Sequence, residues 1–394
     1  MNKKIVIPTI LVVLLIIIVI STCMGGGSKI EIICDRVDAP AIKNDSLELK
    51  VYVENSGSMD AYMCPGSNLK DAVFDYISDL KKHTYSCSLY YINSQIIPYK
   101  GNLDSYIKDL TPSSFALAGG NRANTDLRAI ISAILRHHKQ NTISVFVSDC
   151  ILDISGNTAD FFGNCQISIK NAFNDALSRD KNLGVEIIQL ESKFDGYWYC
   201  GNNSEKLSSV KRPYYIWIIG SNNNLAMLNK NVKVDDIIGG IKNYCAFSPS
   251  QKIPFDFDKK KYMPGHTRTI KPELLVNLDR SLQSELQIEN KSNYKFTNPT
   301  QISILSIQKI NAGSPYSHVI ELGITNPETL KSETITFSYP NIPDWVVRSN
   351  DTTGTEIKKN IDKTTGILYL VKGVSEAYKS YTDFGSISFN LKNK

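Results

Sequence analysis

Glu54, Ser56 and Ser58, an acidic residue and two serines at alternate positions, follow a short apolar run that begins at Leu47. Such a strand end can present three oxygen donors to one cation. Two more oxygen donors stand where a parallel sheet would bring them to the same edge: Thr125, after the polar loop around Gly119 and Gly120, and Asp149, closing the apolar run from Ile143. A hard divalent cation such as Mg2+ takes about six oxygen ligands and tends to keep water, so hydroxyls and carboxylates on rigid turns suit it. Taken singly, each residue also has a structural role, the serines in turns, Thr125 at a helix start and Asp149 at the start of a loop.

The surrounding residues predict the elements that would position these groups. Residues 47–53 are rich in β-branched and aromatic side chains and read as a strand. Leu69, Val73, Phe74, Ile77 and Leu80 then recur at helical spacing, with Ser67 or Asn68 as cap. Runs 86–92 and 95–99 form a hairpin whose second strand Pro98 restricts to an edge. Leu103, Ile107 and Leu110 mark a short helix. A longer one from about Thr125 to His138 carries Thr125 and Asp126 in its first turn. Residues 143–147 read as a strand covered on both faces. A helix over 167–177, a strand over 185–190, a long loop holding Trp198 and Cys200, a strand over 214–219 and a helix from Leu225 complete the series. This alternation predicts a doubly wound, mostly parallel α/β sheet that binds ligands at the carboxyl ends of its strands, where Glu54, Ser56, Ser58 and Asp149 lie.

The order of these residues resembles the metal-ion-dependent adhesion site of von Willebrand factor type A (vWA) domains. That family's pattern is D-x-S-x-S after the first strand, a loop threonine, and an aspartate after a later strand. Ser56, Ser58, Thr125 and Asp149 fall on it, and Glu54 stands in place of the leading aspartate. The resemblance spans about 47–243. It implies a Rossmann-like vWA fold, Mg2+ or another divalent cation held by Glu54, Ser56, Ser58, Thr125 and Asp149, and one coordination position left for a carboxylate of a protein partner. Glu54, one methylene longer than aspartate, either still serves the ion or crowds it out.

At 394 residues the chain exceeds one ordinary domain, for which about 100–200 residues is usual. The expected division is 1–22 as signal peptide or membrane anchor, 23–46 as tether or edge strand, 47–245 as the vWA-like domain and 250–394 as a β-rich domain. In that last part alternating runs at 274–278, 285–288, 302–305, 318–322 and 333–337 are spaced as in a sandwich, with a helix through Ile367, Leu370, Val371, Val374 and Ala377 and a closing strand over 385–389. Lys3 and Lys4 precede an apolar stretch from Ile5 to Ile20 that ends at Ser21, Thr22 and Cys23. It reads as a bacterial lipoprotein signal, with Cys23 lipidated, or as an uncleaved anchor; either places the remaining chain on the exported side of a bacterial cell envelope.

A net charge of +5 without basic and aromatic clusters gives no support to nucleic-acid binding. The seven other cysteines either include disulfides, with Cys64–Cys87 and Cys150–Cys165 as candidates, or are buried thiols. Asp60, Asp126 and Asp153 lie near the same edge, either as supporting carboxylates or, the commoner case, as solvated or capping groups. His137 and His138 end a helix, and His83, His266 and His318 stand alone, so no nucleophile and base pair, and no catalytic residue, is assigned. The resulting expectation is an envelope-anchored binding protein that engages a partner's carboxylate through Mg2+. The alternatives are a metal-dependent hydrolase at the same site or a scaffold whose metal site has decayed.

Overall fold

The structure, a computed structural model, describes residues 29–35, 47–123, 125–249, 252–264, 268–310, 313–338, 342–379 and 385–394. The expected anchor, Cys23, most of the tether and His266 lie outside the described residues. Among the described residues no helix is long and apolar enough to cross a membrane.

The elements of the first 249 residues are β1 (Ile30–Ile33), β2 (Glu48–Glu54), α1 (Leu69–Lys82), β3 (Ser86–Ile92), β4 (Ile96–Pro98), α2 (Leu103–Lys108), α3 (Pro112–Ala118), α4 (Leu127–Arg136), β5 (Thr142–Ser148), α5 (Thr158–Arg179), β6 (Leu183–Cys200), β7 (Asn203–Ser221), α6 (Asn222–Asn231) and β8 (Asn243–Phe247). Seven of these strands form one sheet in the order β4-β3-β2-β5-β7-β6-β8. Side chains alternate across it. Leu49, Val51 and Val53 of β2 enter a core shared with α1 and α6, and Tyr52 points to the other face, where α4 and α5 pack. All seven residues of β5 are buried, as expected of a strand covered on both sides. Helices therefore cover both faces of a mixed α/β sheet.

The sheet is less parallel than its sequence predicts. β2 runs parallel to β3 and to β5, whereas β3–β4, β5–β7, β7–β6 and β6–β8 are antiparallel. The expected loop around Trp198 and Cys200 is instead the far half of a long β6–β7 hairpin, in which Cys200 pairs with Asn203. Its charged residues face out while Phe194, Trp198, Cys200 and Leu207 are buried against the residue 58–63 side of the core. α4 begins at Leu127 rather than Thr125, because the Asp126 side chain accepts the Arg128 N–H at 2.9 Å and caps the helix there.

The later strands are β9 (Phe255–Phe257), β10 (Lys261–Tyr262), β11 (Thr269–Ile270), β12 (Glu273–Val276), β13 (Tyr294–Phe296), β14 (Ile302–Lys309), β15 (His318–Thr325), β16 (Ser332–Phe337), the short pair β17 (Asn350–Asp351) and β18 (Thr364–Thr365), and β19 (Gly385–Asn393). Between them lie α7 (Glu285–Glu289), α8 (Asp344–Arg348) and α9 (Ile367–Ala377). Residues 285–288 are thus helical, not a strand. One antiparallel sheet, β10-β1-β19-β16-β13, and another built on β11-β15-β12-β9 with β14 beside β15, share a core in which the Phe257 and Phe389 rings meet edge to face.

Chain order and packing part company at two places. β1, within the expected tether, pairs with β19 and β10. α9 leaves the late strands and packs on α5, burying Leu370, Val371 and Val374 in a core of the seven-stranded sheet. The seven described cysteines are free thiols, so neither Cys64–Cys87 nor Cys150–Cys165 is bonded; Cys150 and Cys165 are buried and fill apolar space.

Candidate functional site

The parallel block β3-β2-β5 points its carboxyl ends at one edge, and the predicted residues collect there. Glu54 ends β2. The chain stays in register for one more residue, Asn55 N–H donating to Ile92 O at 3.1 Å, and then turns through Gly57 into the 3-10 segment Ser58–Met63. This turn sets the Ser56 and Ser58 hydroxyls 3.1 Å apart. From β5, the Ser148 hydroxyl donates to Glu54 Oε2 and accepts the Cys150 N–H at 2.8 Å. Asp149 follows, 1% exposed, with Oδ1 accepting the Ile151 N–H at 3.3 Å and Oδ2 buried without a partner. The backbone is strained immediately beyond it: Cys150 is a buried non-glycine residue with φ +54°.

Thr125 arrives on a loop tied to the same turn. Gly57 N–H donates to Arg122 O at 3.1 Å, Arg122 Nε to Asn55 O at 2.8 Å, and the Arg122 guanidinium pairs with Asp60. Gly120, at φ +75°, lets this loop lie on Asn93, since a Cβ there would come within 2.0 Å of Asn93 Oδ1. The Thr125 hydroxyl is buried and unpartnered. The structure therefore gathers Glu54, Ser56, Ser58 and Asp149, and carries Thr125 on a loop bound to their turn without a hydrogen bond to any of them.

Electrostatics show how closely the carboxyls are held. Burial pushes the Glu54 carboxyl well above the usual range and the Asp149 charge pushes it further, while the Ser148 and Ser56 hydroxyls act in the opposite sense. Asp149 is raised by burial too, against the Ser58 hydroxyl, the Ile151 N–H and the positive charge of Arg212. Two buried carboxyls with unpartnered oxygens on Asp149 and Thr125 form a donor set that fits a hard cation. Among the described residues no three His, Cys, Asp or Glu side chains come together as a metal cluster, so such a cation would rest on two carboxyls and on hydroxyls.

No protein-family model matches the chain, and no curated protein sequence is detectably similar to it.

Sequence reasoning missed two members of the site. Ser148 had a readable signal, a lone hydroxyl between an apolar run and Asp149. Arg212 had none, since it directly follows Lys211 in the polar first half of β7, yet it is 1% exposed and donates to Ile361 O at 3.1 Å and Lys363 O at 3.4 Å. Beside the site the Tyr199 ring lies 3.8 Å from where a Cβ on Gly57 would stand, and it stacks with the half-exposed Tyr197.

The remaining candidates are structural. Asp60 pairs with Arg122, Asp126 caps α4, and Asp153 accepts the Gly201 N–H. His138 meets Asp180 at 3.1 Å, and Asp180 also accepts the Ser221 hydroxyl. His318 lies between Ser317 Oγ at 2.8 Å and Glu285 at 2.9 Å, a Ser-His-Glu chain. Ser317 Oγ, however, accepts the Leu278 N–H at 2.8 Å inside the β-rich core, which makes it a backbone clamp rather than an exposed nucleophile.

Proposed function

We propose that this chain is an envelope-anchored, non-enzymatic binding protein. In this reading its seven-stranded sheet is a doubly wound, vWA-like domain with an inserted antiparallel strand, and its edge holds Mg2+ or another divalent cation for capture of a protein carboxylate. The cation would rest on Ser56, Ser58, Thr125 and Asp149, with Glu54 held behind them. The proposal takes its N-terminal segment as the anchor, with Cys23 lipidated, so that the site faces the exported side. The observation that carries the reading is the convergence of Glu54, Ser56, Ser58 and Asp149, with buried oxygens on Asp149 and Thr125 left unpartnered.

The ion would supply positive charge to two buried carboxyls and a coordination position for an incoming oxygen. The chain's own residues orient that site. Ser148, at the end of β5, holds the longer Glu54 side chain by a hydrogen bond to Oε2. Arg122 fixes the loop that brings Thr125 to the turn. Binding is favoured over hydrolysis because Glu54 is committed to hydroxyl partners and, among the described residues, no histidine joins the cluster as a base.

Calorimetry of Mg2+ binding to the chain from Lys29 onward tests the reading. The parent protein is expected to bind one ion, and Asp149→Ala and Ser56→Ala to lose it. A parent that binds none leaves a scaffold. Ester or phosphate hydrolysis that disappears in Asp149→Ala would replace binding with catalysis.

A further inference from the structure

Glu186 lies near the start of β6, away from the candidate site, and is 0% exposed. Its Oε1 meets Asn229 Nδ2 of α6 at 2.6 Å and the Tyr244 hydroxyl of β8 at 2.7 Å, and its Oε2 is buried without a partner. Among the described residues no cationic side chain pairs with it. The charged or titratable groups on the elements around it include the Tyr76 phenol of α1, the Cys245 thiol of β8, the Lys230–Asp279 pair at 2.8 Å between α6 and the turn after β12, and Arg280 in that turn.

The donors do not balance if Glu186 is ionised. The Tyr244 oxygen lies 2.7 Å from Glu186 Oε1 and 2.7 Å from Leu282 O, and both of these are acceptors. A phenol has one proton and can serve one of them fully. The second contact needs a donor, and a protonated Glu186 carboxyl is the group in place to provide it. With that proton the chain is complete: Glu186 O–H donates to the Tyr244 oxygen, Tyr244 O–H donates to Leu282 O, and Asn229 still donates to Glu186. Burial, which pushes this carboxyl above its usual range, acts in the same direction.

The end of this chain matters because Leu282 belongs to a turn that leaves β12 of the β-rich part and docks on the seven-stranded sheet. Leu282 takes φ +59° and fills the notch left by Gly184, where a Cβ would stand 2.8 Å from Leu282 Cδ1. Gln283 Nε2 donates to Ala246 O at 3.3 Å, Ser248 to Ser281 O at 3.3 Å, and Asn222 Nδ2 to Arg280 O at 3.3 Å. The turn is thus a joint between the two parts, with Tyr244 at its centre.

We propose that Glu186 is a neutral carboxylic acid in the closed structure, and that its proton locks residues 278–283 onto the seven-stranded sheet, making this joint pH-sensitive. The sign is fixed by linkage. The closed state keeps a proton that an opened, solvated Glu186 gives up near the ordinary value of about 4.3. Closure is therefore fully favourable below that value and weakens as pH rises toward the folded-state value.

Amide exchange of residues 278–283 in the chain from Lys29 onward, corrected for the intrinsic pH dependence of exchange, reads the opening equilibrium directly. In the parent, opening is expected to rise up to about tenfold per pH unit above the ordinary carboxylate value, one proton being released per opening. Glu186→Gln is a permanent stand-in for the neutral acid, because its amide donates to Tyr244 once the Asn229 amide turns over. It is expected to fold and to show a flat profile. A flat profile in the parent overturns the proposal, as do parallel slopes in the two proteins. Failure of Glu186→Gln to fold overturns it too, since a neutral isostere would then not be tolerated.

Discussion

Replacing Asp149 by asparagine is expected to reverse its effect on stability when Mg2+ is added. In the metal-free protein Asp149 Oδ2 is buried without a partner and the carboxyl lies beside a second buried acid, Glu54. An unsatisfied buried acceptor costs about 1–3 kcal/mol, and more when charged. Asparagine keeps an oxygen for the Ile151 N–H and removes a carboxyl that burial already penalises, while its amide still needs an acceptor near Ser58. The net expectation in chelator is a variant more stable than the parent by about 1–2 kcal/mol, the lower part of that range. At a Mg2+ concentration a hundredfold above Kd the parent gains about 2.7 kcal/mol, whereas a variant without the anionic ligand gains little. The order of stabilities then inverts. Urea unfolding followed by the fluorescence of buried Trp198, Trp217 and Trp345, with and without Mg2+, measures both differences. A variant less stable than the parent in chelator refutes the charge argument. A parent unmoved by Mg2+ refutes the cation.

Ser148→Ala leaves the Cys150 N–H without its acceptor and removes a hydroxyl from Glu54. Two buried polar groups lose a partner, so a loss of about 2–4 kcal/mol is expected in the same urea assay, with or without Mg2+. Asp180→Asn tests the clamp at the opposite end of the sheet. Burial alone would raise the Asp180 carboxyl, but hydrogen bonds from His138, Ser221 and the Asn182 N–H hold it below its usual value. Its stabilisation is therefore present above the ordinary value of about 3.9 and disappears as pH falls through the folded value, so the deficit of the variant at pH 7 should vanish in thermal scans in strong acid.

The parallel part of the seven-stranded sheet was legible because β2 and β5 are buried on both faces and their side chains leave little room for another element. The antiparallel part was not. Phe194, Trp198, Cys200 and Leu207 are interspersed with polar, glycine and tyrosine residues, a pattern that a two-stranded ribbon with one buried face shares with a polar loop until its partner is known. The short run at 285–288 offered the same ambiguity between helix and strand, resolved only by its position beside β14. At the proposed site, spacing placed Ser56, Ser58 and Asp149 at one edge because they follow strand ends directly, whereas Thr125 comes from a loop after α3. Arg212 escaped because what matters is its burial against the carbonyls of Ile361 and Lys363, contacts made across about 150 residues of chain.

Arg212 also bears on what the site would attract. With Glu54 and Asp149 ionised, the two carboxylates and the nearby guanidinium carry a formal charge of about −1; a divalent cation would change that to about +1, a reversal that favours an anionic oxygen at the open position. Without Arg212 the same ion would only neutralise the pair. The exposure of the groups points the same way: Glu54, Ser56 and Asp149 are buried, whereas Ser58 and Thr125 are partly exposed and border the surface. An incoming carboxylate would therefore approach from the Ser58 side, next to the stacked Tyr197 and Tyr199, while the acids and the buried Thr125 hydroxyl stay behind it. Arg212 is fixed by carbonyls from the segment between β17 and β18, so the charge that makes this reversal complete depends on the later half of the chain. The proposed binding at this edge would then be a property of both halves, even though every proposed ligand comes from the first.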